Sequence, residues 1–355
     1  MNTVSTRWGR FGLGLALLAL ASCGGGGDES TPGSSKLFIA DGGNHQLVSI
    51  INAAPTVGST FNIDRLVTGV AAVTAGVSAI PSMALHAAAD RLYVATQGNT
   101  FIYDGISQAN GAAAPTRTMG ATINTGTGNR AVNFFRISLD AANSVLYTVD
   151  FFGEVHVFNN PTTPAGATTV TRIITPDVAP STIAFTSGLA IDTANNMLYL
   201  GADFGGASHI IVFNNASTAG TAPTTTTPLA PNRTLNFAAS IGSFHLDTLN
   251  NRLYVSQPNG IVLVFDNASA LASGTPTANR IIDLGVAQRF RIPYSIFVET
   301  GRNKLYAVGN EAGGSTSIVW IIDNASTAND SGGAVSDGVA VEPTNMALSA
   351  VAVAP

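Results

Sequence analysis

Polar side chains recur at one position of a repeat that runs through most of the chain, directly after a short Leu-Tyr segment. These residues are Asp41, Gln97, Asp150, Asp203, Gln257 and Asn310. Carboxylate and amide oxygens are ligands for hard cations, so a ring of such residues could coordinate a cation or an organic ligand. The same residue types also cap hairpin turns through the adjacent backbone. The sequence therefore leaves two interpretations open, a candidate binding ring and a set of turn caps.

A second position of the repeat, ten residues before each leucine of the Leu-Tyr segment, contains one exception. It holds Ser82, Arg136, Gly188, Ser243, Ser295 and, if the end of the chain is aligned with it, Asn345. Arg136 is the only charged member, and a specific site in a repeat protein requires such a departure from symmetry. We predict that Arg136, Asp150 and Asp203 mark a binding surface. The alternative is that Arg136 pairs with Asp150 or Glu154.

Other catalytic and binding signatures are missing from the sequence. The five histidines contain no pair with metal-ligand spacing, and we find no nucleophile elbow, phosphate loop or dinucleotide fingerprint. No cofactor, metal site or catalytic residue is predicted. The single cysteine excludes a disulfide scaffold. A net charge of −5 without basic clusters excludes a protein that binds nucleic acid through phosphate contacts.

The repeat predicts the fold. Six Leu-aromatic pairs recur at spacings of 52 to 55 residues: Leu37-Phe38, Leu92-Tyr93, Leu146-Tyr147, Leu198-Tyr199, Leu253-Tyr254 and Leu305-Tyr306. Each copy reads as four short strands separated by Asn, Asp and Gly turns, which is the organisation of a propeller blade. Only 10% of the 355 residues are charged, in keeping with strands buried on both faces. We predict an all-β, six-bladed β-propeller of four-stranded blades over residues 36–355.

The two ends of the repeat region are complementary. The first copy lacks an inner strand, because Lys36 follows a polar segment directly. Residues 345–349 match the large-small-large pattern of Met83-Ala84-Leu85 in the second copy. We predict that this C-terminal strand joins the first blade and closes the ring, which removes open sheet edges. Asp192 and Asp247 are predicted to cap the hairpin turns that follow the inner strands.

Two further features repeat near the outer strands. An arginine begins each outermost strand, which we interpret as a guard against edge pairing; these are Arg65, Arg117, Arg172, Arg233 and Arg280. Asn-Ala-Ser segments begin at Asn215, Asn267 and Asn324. They match the glycosylation triplet, but we favour turn chemistry for them.

The N-terminus has the organisation of an export signal. Arg7 and Arg10 precede an apolar stretch that is too short to span a bilayer. Leu20-Ala21-Ser22-Cys23 resembles a bacterial lipobox, and this resemblance implies cleavage before Cys23 and lipidation of its thiol. The alternative is an ordinary cleavage site with an incidental cysteine. We expect a lipoprotein signal peptide at 1–22 and a flexible tether at 23–35. The absence of Asp after Cys23 favours the outer membrane.

Part of the repeat resembles known propeller families. Residues 36–47, with Ala40-Asp41 and Asn44-His45, resemble the NHL repeat, and Leu92-Tyr93-Val94 is similar to bacterial YVTN-type repeats. This resemblance implies a six-bladed propeller used mainly for binding, with enzymatic branches. Sugar-lactonase propellers hold a divalent metal through carboxylates and an amide at the channel, whereas the inner-strand starts here supply no carboxylate.

These observations lead to one expectation about function and two alternatives. We expect a lipid-anchored, monomeric binding or scaffold module in the bacterial cell envelope, with a protein or small-molecule partner and no nucleic acid. The first alternative is a metal-dependent enzyme of the lactonase or hydrolase type, which requires a cation in the channel. The second is a structural surface protein with no fixed ligand.

Overall fold

Nearly all of the regular structure is β-strand, as the sequence predicts. The computed structural model describes residues 36–41, 46–51, 65–68, 80–96, 98–120, 122–124, 129–131, 134–151, 153–161, 169–224, 227–284, 293–310, 317–329 and 348–354. Residues 1–22, the tether with Cys23, and Gln97 lie outside this part of the chain. No helix among the described residues has the length and apolar character needed to cross a bilayer.

The described strands are short and follow one another through the chain. In chain order they are β1 (Lys36–Asp41), β2 (Gln46–Ile51), β3 (Arg65–Thr68), β4 (Ser82–His86), β5 (Arg91–Ala95), β6 (Thr100–Asp104), β7 (Gly111–Ala112), β8 (Arg117–Met119), β9 (Thr122–Asn124), β10 (Asn129–Ala131), β11 (Arg136–Asp140), β12 (Val145–Val149), β13 (Val155–Asn159), β14 (Arg172–Pro176), β15 (Phe185–Asp192), β16 (Met197–Phe204), β17 (Ala207–Asn214), β18 (Pro228–Leu229), β19 (Arg233–Phe237), β20 (Ser243–Asp247), β21 (Arg252–Gln257), β22 (Ile261–Asp266), β23 (Arg280–Asp283), β24 (Pro293–Glu299), β25 (Lys304–Asn310), β26 (Ser317–Asp323) and β27 (Leu348–Ala354). Short 3₁₀ helices lie at Ala87–Ala89, Ile106–Gln108, Pro258–Gly260, Ala268–Ala270 and Thr300–Arg302.

The strands form consecutive sheets that we number in ring order; their strand pairs are antiparallel except for β3 with β7 and β14 with β18, which are parallel. Sheet 1 is β27-β1-β2-β3-β7, sheet 2 is β4-β5-β6-β8, sheet 3 is β11-β12-β13-β14-β18, sheet 4 is β15-β16-β17-β19, sheet 5 is β20-β21-β22-β23, and sheet 6 is β24-β25-β26. A separate hairpin pairs β9 with β10. The fold is an all-β propeller. Five sheets have the four or five strands of a complete blade, and three strands are described in sheet 6, so the predicted count of six four-stranded blades is not confirmed.

The first strand of each sheet packs against its counterparts in the two neighbouring sheets. These contacts run from β27 to β4, β11, β15, β20, β24 and back to β27. Serine hydroxyls of one strand accept hydrogen bonds from the next strand, as in Ile137 N to Ser82 Oγ (3.2 Å) and Ile191 N to Ser138 Oγ (3.1 Å). The exposed inner edges of the sheets are in this way partly satisfied by their neighbours.

The C-terminal strand closes the first sheet, but a different segment does so than predicted. β27 pairs antiparallel with β1, and Val351 and Val353 lie opposite Ile39 and Leu37. The predicted segment, 345–349, lies largely outside the described residues. It shares the large-small-large pattern with Val351-Ala352-Val353. Pattern alone therefore could not select the register, because the pairing partner sets it.

Each interface between sheets is built by one aromatic residue and one leucine of the repeat. The aromatic side chain of one sheet lies in the same buried cluster as the leucine of the next. The six pairs are Phe38 with Leu92, Tyr93 with Leu146, Tyr147 with Leu198, Tyr199 with Leu253, Tyr254 with Leu305, and Tyr306 with Leu37.

The predicted turn chemistry is confirmed in the hairpins after the inner strands. Asp192 accepts hydrogen bonds from the backbone N of Asn195 (3.0 Å) and from its Nδ2 (2.8 Å). The pairs Asp247–Asn250 and Asp140–Asn143 repeat this geometry. Each turn then ends on a residue of positive φ, such as Asn196 at 54°, a conformation that asparagine tolerates.

The Asn-Ala-Ser segments serve the same turns. Asn215, Asn267 and Asn324 have φ values of 55°, 55° and 57°. The serine of each segment donates its backbone N–H to the asparagine that ends the inner hairpin, as in Ser217 N to Asn196 Oδ1 (2.8 Å). These segments are turns within each sheet, as the sequence favours.

Three of the outer arginines, Arg172, Arg233 and Arg280, bind the next sheet, which corrects their interpretation as guards against edge pairing. Arg117 Nη2 instead donates to Asp104 Oδ2 of its own sheet at 2.7 Å. Arg233 Nη1 in sheet 4 donates to Ser269 O and Leu271 O of sheet 5, both at 2.9 Å. Arg172 and Arg280 likewise reach Ala216 O and Ala325 O, the alanine carbonyls of the following Asn-Ala-Ser segments, each at 3.2 Å. A guanidinium has enough donors to bridge several carbonyls at once.

Removal of one such bridge should destabilise the ring. We expect Arg233→Met to lower the free energy of unfolding by about 1–3 kcal/mol, because two carbonyls lose charge-assisted hydrogen bonds. Urea unfolding followed by circular dichroism measures the change. The matched control is Lys304→Met, which removes an ion pair to the more exposed Asp323 within sheet 6. Its effect should stay below about 1 kcal/mol, and equal effects of the two variants would contradict the bridging role.

Candidate functional site

A narrow channel runs between the first strands of the sheets. It has a volume of about 290 Å³. Its described lining residues include Pro81, Ser82, Met83, Ala84, Leu85, Arg136, Ile137, Ser138, Leu139, Ser187, Gly188, Leu189, Ala190, Ile191, Ser243, Phe244, His245, Leu246, Tyr294, Ser295, Ile296, Phe297 and Val351. The lining combines apolar and polar groups, and Ser82, Arg136, Ser187 and Ser243 lie at the end where these strands begin. We call that end the Arg136 mouth.

Arg136 begins β11 and is held at this mouth by backbone carbonyls. Its Nε donates to Ser187 O (3.1 Å), and its Nη1 donates to Pro81 O (2.7 Å) and Phe135 O (3.4 Å). The guanidinium also stacks over the Phe135 ring, 4.4 Å from the centroid. Burial lowers the pKa of Arg136 to about 10, so the group remains protonated at neutral pH.

Arg136 does not form the ion pair that the sequence left open. It makes no ion pair with Asp150 or Glu154, and its hydrogen bonds go to main-chain oxygens of three residues. No aspartate or glutamate is among the described residues that line the channel. The departure from repeat symmetry that singled out Arg136 therefore corresponds to a half-buried cation at the channel wall.

Bulges in the first strands shape the same mouth. The pairing of β15 with β16 skips Ser187, and the pairing of β24 with β25 skips Tyr294. A bulge re-aims the extra side chain and bends the strand. Among the described residues the buried Ser187 hydroxyl has no hydrogen-bond partner, whereas Tyr294 is 42% exposed. The adjacent Gly188 is required, since a Cβ there would lie 2.5 Å from the Phe244 ring.

An aromatic cluster extends from Arg136 to the surface. Phe135, Phe151 and Phe185 meet edge to face, with ring centroids 5.4 to 5.9 Å apart. Phe151 is 44% exposed, although it is a large apolar residue. Three rings, one exposed, and a neighbouring guanidinium form a surface of the composition found at binding hot spots.

The polar residues of the predicted ring occupy several environments. Asp41 and Asp150 are buried, and Asp150 Oδ1 accepts from Glu154 N at 3.0 Å within its hairpin. Asp203 accepts from Ser208 Oγ at 2.6 Å and lines another cavity of about 410 Å³. Gln257 precedes the 3₁₀ helix at Pro258–Gly260. Asn310 ends β25, and its side chain lies outside the described part, as does Gln97.

Asp150 belongs to a second group that the sequence analysis missed. Its carboxylate, the Glu154 carboxylate and the His156 ring offer ligand atoms within 4.8 Å of one another. Glu154 Oε2 lies 3.8 Å from His156 Nε2. Alternation in the β12–β13 hairpin puts the three on one sheet face, and the pattern Asp-x₃-Glu-x-His was the available signal. Such a group could hold a divalent cation, but none of the three lines the channel.

His245 is the titratable group in the middle of the channel. Its ring lies 4.7 Å from the Phe297 ring. Burial lowers its pKa to about 4, and Asp247 opposes this shift. The imidazole is therefore neutral at physiological pH, and Arg136 is the charged side chain of the described lining.

The low pKa of His245 predicts how the stability of the fold depends on pH. The unfolded chain binds a proton at His245 below about pH 6.5, whereas the folded protein does so only near pH 4. The stability that depends on a neutral His245 should thus be fully present above pH 6.5 and should be lost as the pH falls towards 4. NMR titration should place the His245 midpoint near 4, and His245→Phe should flatten the acid limb of the stability profile. A midpoint near 6.5 would contradict burial of the ring.

Comparisons with known proteins agree with the fold and assign no family. No protein-family model matches the chain, and no curated protein matches its sequence. A chain of a crystal structure of a nidogen/laminin complex is 12% identical, with a TM-score of 0.55, over 90% of this chain and 98% of that one. The Cps50 (Swd1) β-propeller domain of Myceliophteria thermophila is 13% identical, with a TM-score of 0.47, over 78% of this chain and 76% of that one. A chain of a mitotic checkpoint complex is 12% identical, with a TM-score of 0.48, over 86% and 74%. At these identities the likeness concerns the fold alone.

Proposed function

We propose that this protein is a lipid-anchored β-propeller of the bacterial cell envelope that binds a protein partner at the Arg136 mouth. The observation that carries the proposal is the aromatic cluster of Phe135, Phe151 and Phe185 beside Arg136. The nidogen/laminin structure is a complex between proteins, which supports protein binding as a use of this fold.

The composition of the mouth favours a protein partner. Arginine and aromatic residues are enriched at protein interfaces, because aromatic rings bury large areas with few rotatable bonds and a guanidinium both stacks on rings and donates several hydrogen bonds. Phe151 and Tyr294 are two of only four large apolar residues of the described chain that are markedly exposed. Tyr294 lines the channel, and Phe151 belongs to the aromatic cluster beside Arg136.

Asp150 and Asp203 contribute to this surface by positioning its aromatic residues. Asp150 caps the hairpin that carries Phe151, and Asp203 pairs across the sheet with Phe185. The contact surface predicted around Arg136, Asp150 and Asp203 is thereby refined. The contact groups are aromatic, and the two carboxylates hold the turns behind them.

We infer six blades for the ring, with sheet 6 as the sixth. Its first strand, β24, packs against β20 on one side and β27 on the other. Its aromatic–leucine clusters join sheet 5 and sheet 1. The residues between β26 and β27, where a fourth strand would belong, are mostly those numbered 330–347, which lie outside the described part.

Lipid attachment at Cys23 would hold the propeller at the membrane. Removal of residues 1–22 takes away Arg7 and Arg10, so the net charge of the remaining chain becomes −7. A chain of this charge has no basic patch to hold it to anionic lipid, whereas acyl chains anchor through apolar burial. The tether 24–35 would allow a reach on the order of 20 Å. We propose the outer membrane as the location and a monomer as the state.

The metal-dependent hydrolase is less well supported. That reaction needs a cation facing the channel, and the described channel lining holds Arg136 and no carboxylate. The Asp150, Glu154 and His156 group lies off the channel lining. The structural protein with no fixed ligand does not account for exposed aromatic side chains at one mouth.

The aromatic cluster can be tested against an exposed apolar residue elsewhere. We expect Phe151→Ala combined with Phe185→Ala to abolish capture of the envelope protein that the wild-type protein retains after cross-linking. The loss should be at least tenfold, because hot-spot truncations cost about 2 kcal/mol or more. Quantitative mass spectrometry of the captured material measures it.

The matched control is Leu249→Ala. Leu249 is 81% exposed and lies in the β20–β21 turn, at the opposite end of the inner strands. Capture should be unchanged in this variant. Retention of the same partner by the double phenylalanine variant would refute the proposed surface, as would its loss in the Leu249 variant alone.

Lipid attachment at Cys23 can be tested separately from partner binding. Cells grown with labelled palmitate should transfer the label to the wild-type chain and to Ser35→Ala, but not to Cys23→Ser, because the thioether requires the thiol. The Cys23→Ser protein should also leave the membrane fraction. Label retained on Cys23→Ser would overturn the lipobox interpretation.

A further inference from the structure

No carboxylate among the described residues lines the channel wall beside the Arg136 guanidinium. A half-buried charge is costly unless it is paired or hydrogen-bonded, and carbonyl oxygens supply only part of that compensation. Nε and Nη1 are used by Ser187 O, Pro81 O and Phe135 O. Nη2 makes no hydrogen bond to any residue in the described part of the chain.

Two strand bulges flank this group. The bulge at Ser187 interrupts the ladder beside Arg136, and Tyr294, on the second bulge, lines the channel and is partly exposed. A guanidinium at such an opening is a group that binds a carboxylate.

The rest of the lining mixes apolar and polar groups. Below the mouth it includes apolar side chains such as Met83 and Leu189, together with Ser138 and His245. At about 30 Å³ per water-sized group, a volume of about 290 Å³ admits a body of roughly ten non-hydrogen atoms. The size of this space therefore restricts the ligand to a small organic molecule.

The charge of the described lining restricts which ligand head groups can bind. One guanidinium matches one negative charge, whereas a phosphate dianion needs a second cation, and the described lining supplies none. A cationic head group would be repelled by Arg136. A planar carboxylate matches the guanidinium in both charge and geometry.

We propose that the channel binds a small organic monocarboxylate, with its carboxylate on Arg136 and its body among the other lining side chains. This deepens the proposed function and rests on it, because it names the ligand chemistry of the same mouth. The carboxylate can come from two sources, a free aliphatic acid or the C-terminus of the protein partner.

Calorimetry on the purified full-length protein tests this without any partner. Octanoate should bind with a stoichiometry of one, and at least tenfold more tightly than octanamide, which has the same shape without the charge. Arg136→Gln should weaken octanoate binding about ten- to hundredfold, as expected for loss of a charge-assisted hydrogen bond, and should remove the preference over octanamide. Inorganic phosphate should bind more weakly than octanoate.

A control and a second measurement protect the test against misfolding. Arg252→Gln removes a guanidinium that is paired with Asp266 away from the channel lining, and it should leave octanoate binding unchanged. If Arg136→Gln does not fold, the wild-type protein decides, since octanoate should raise its melting temperature more than octanamide does. Equal binding of octanoate and octanamide, no saturable octanoate binding, tighter phosphate binding, or full affinity in folded Arg136→Gln would each overturn the proposal.

Binding of two peptides distinguishes the two possible sources of the carboxylate. N-acetyl-Leu-Leu with a free C-terminus should bind more tightly than its C-terminal amide if the partner supplies the carboxylate. Binding of octanoate without binding of either peptide assigns a free acid. Failure of all these ligands would overturn the carboxylate site alone, because partner capture through Phe151 and Phe185 is measured independently.

Discussion

Each repeat carries a leucine and an aromatic residue at consecutive positions of its second strand, and strand geometry sends the two side chains to opposite faces. The aromatic ring packs into one interface and the leucine into the other. Every sheet is thereby joined to both neighbours through one dipeptide. The cluster of Tyr306 with Leu37 joins the last sheet to the first, so the same interaction that stacks the sheets also closes the ring. The low charge of the chain follows, because both faces of each sheet are buried.

Polar bonds complete these interfaces at their inner and outer ends. Serine hydroxyls bind the inner strand of the next sheet, and outer arginines bind the carbonyls of the next Asn-Ala-Ser segment. The outer arginines make such bonds from equivalent positions of their repeats, and a repeat of this regularity makes its exceptions informative. Arg136 replaces a small residue, and the bulges at Ser187 and Tyr294 break the ladders at the same end of the channel. The candidate site therefore lies where the regular pattern of the repeat is interrupted.

Much of the architecture could be predicted, since period, alternation and turn residues are local properties. The Asp192 and Asp247 turns are local for the same reason. The register of the closing strand was wrong by five residues, because Met346-Ala347-Leu348 and Val351-Ala352-Val353 have the same pattern and only pairing with β1 distinguishes them. The role of the outer arginines was also wrong, because their acceptors lie in the next repeat, some 36 to 47 residues away.

The site was predicted in part. Arg136 stood out because a charge among small residues is visible in an alignment of repeats. The aromatic cluster did not, because Phe135, Phe151 and Phe185 look like ordinary core residues when each is taken alone. The polar ring combined turn caps with site residues, since a carboxylate at a strand end serves either role.

The sequence by itself determined the strand order, the turn chemistry and the residues that stack one sheet on the next, because these depend on spacing within a repeat. Only the tertiary structure decided which side chains meet at the Arg136 mouth, whether that arginine has a counter-ion, and which aromatic ring remains exposed. Those properties depend on contacts between repeats and on bulges that shift a single residue. The period of the repeat predicts the fold, but it does not predict these departures from the repeat.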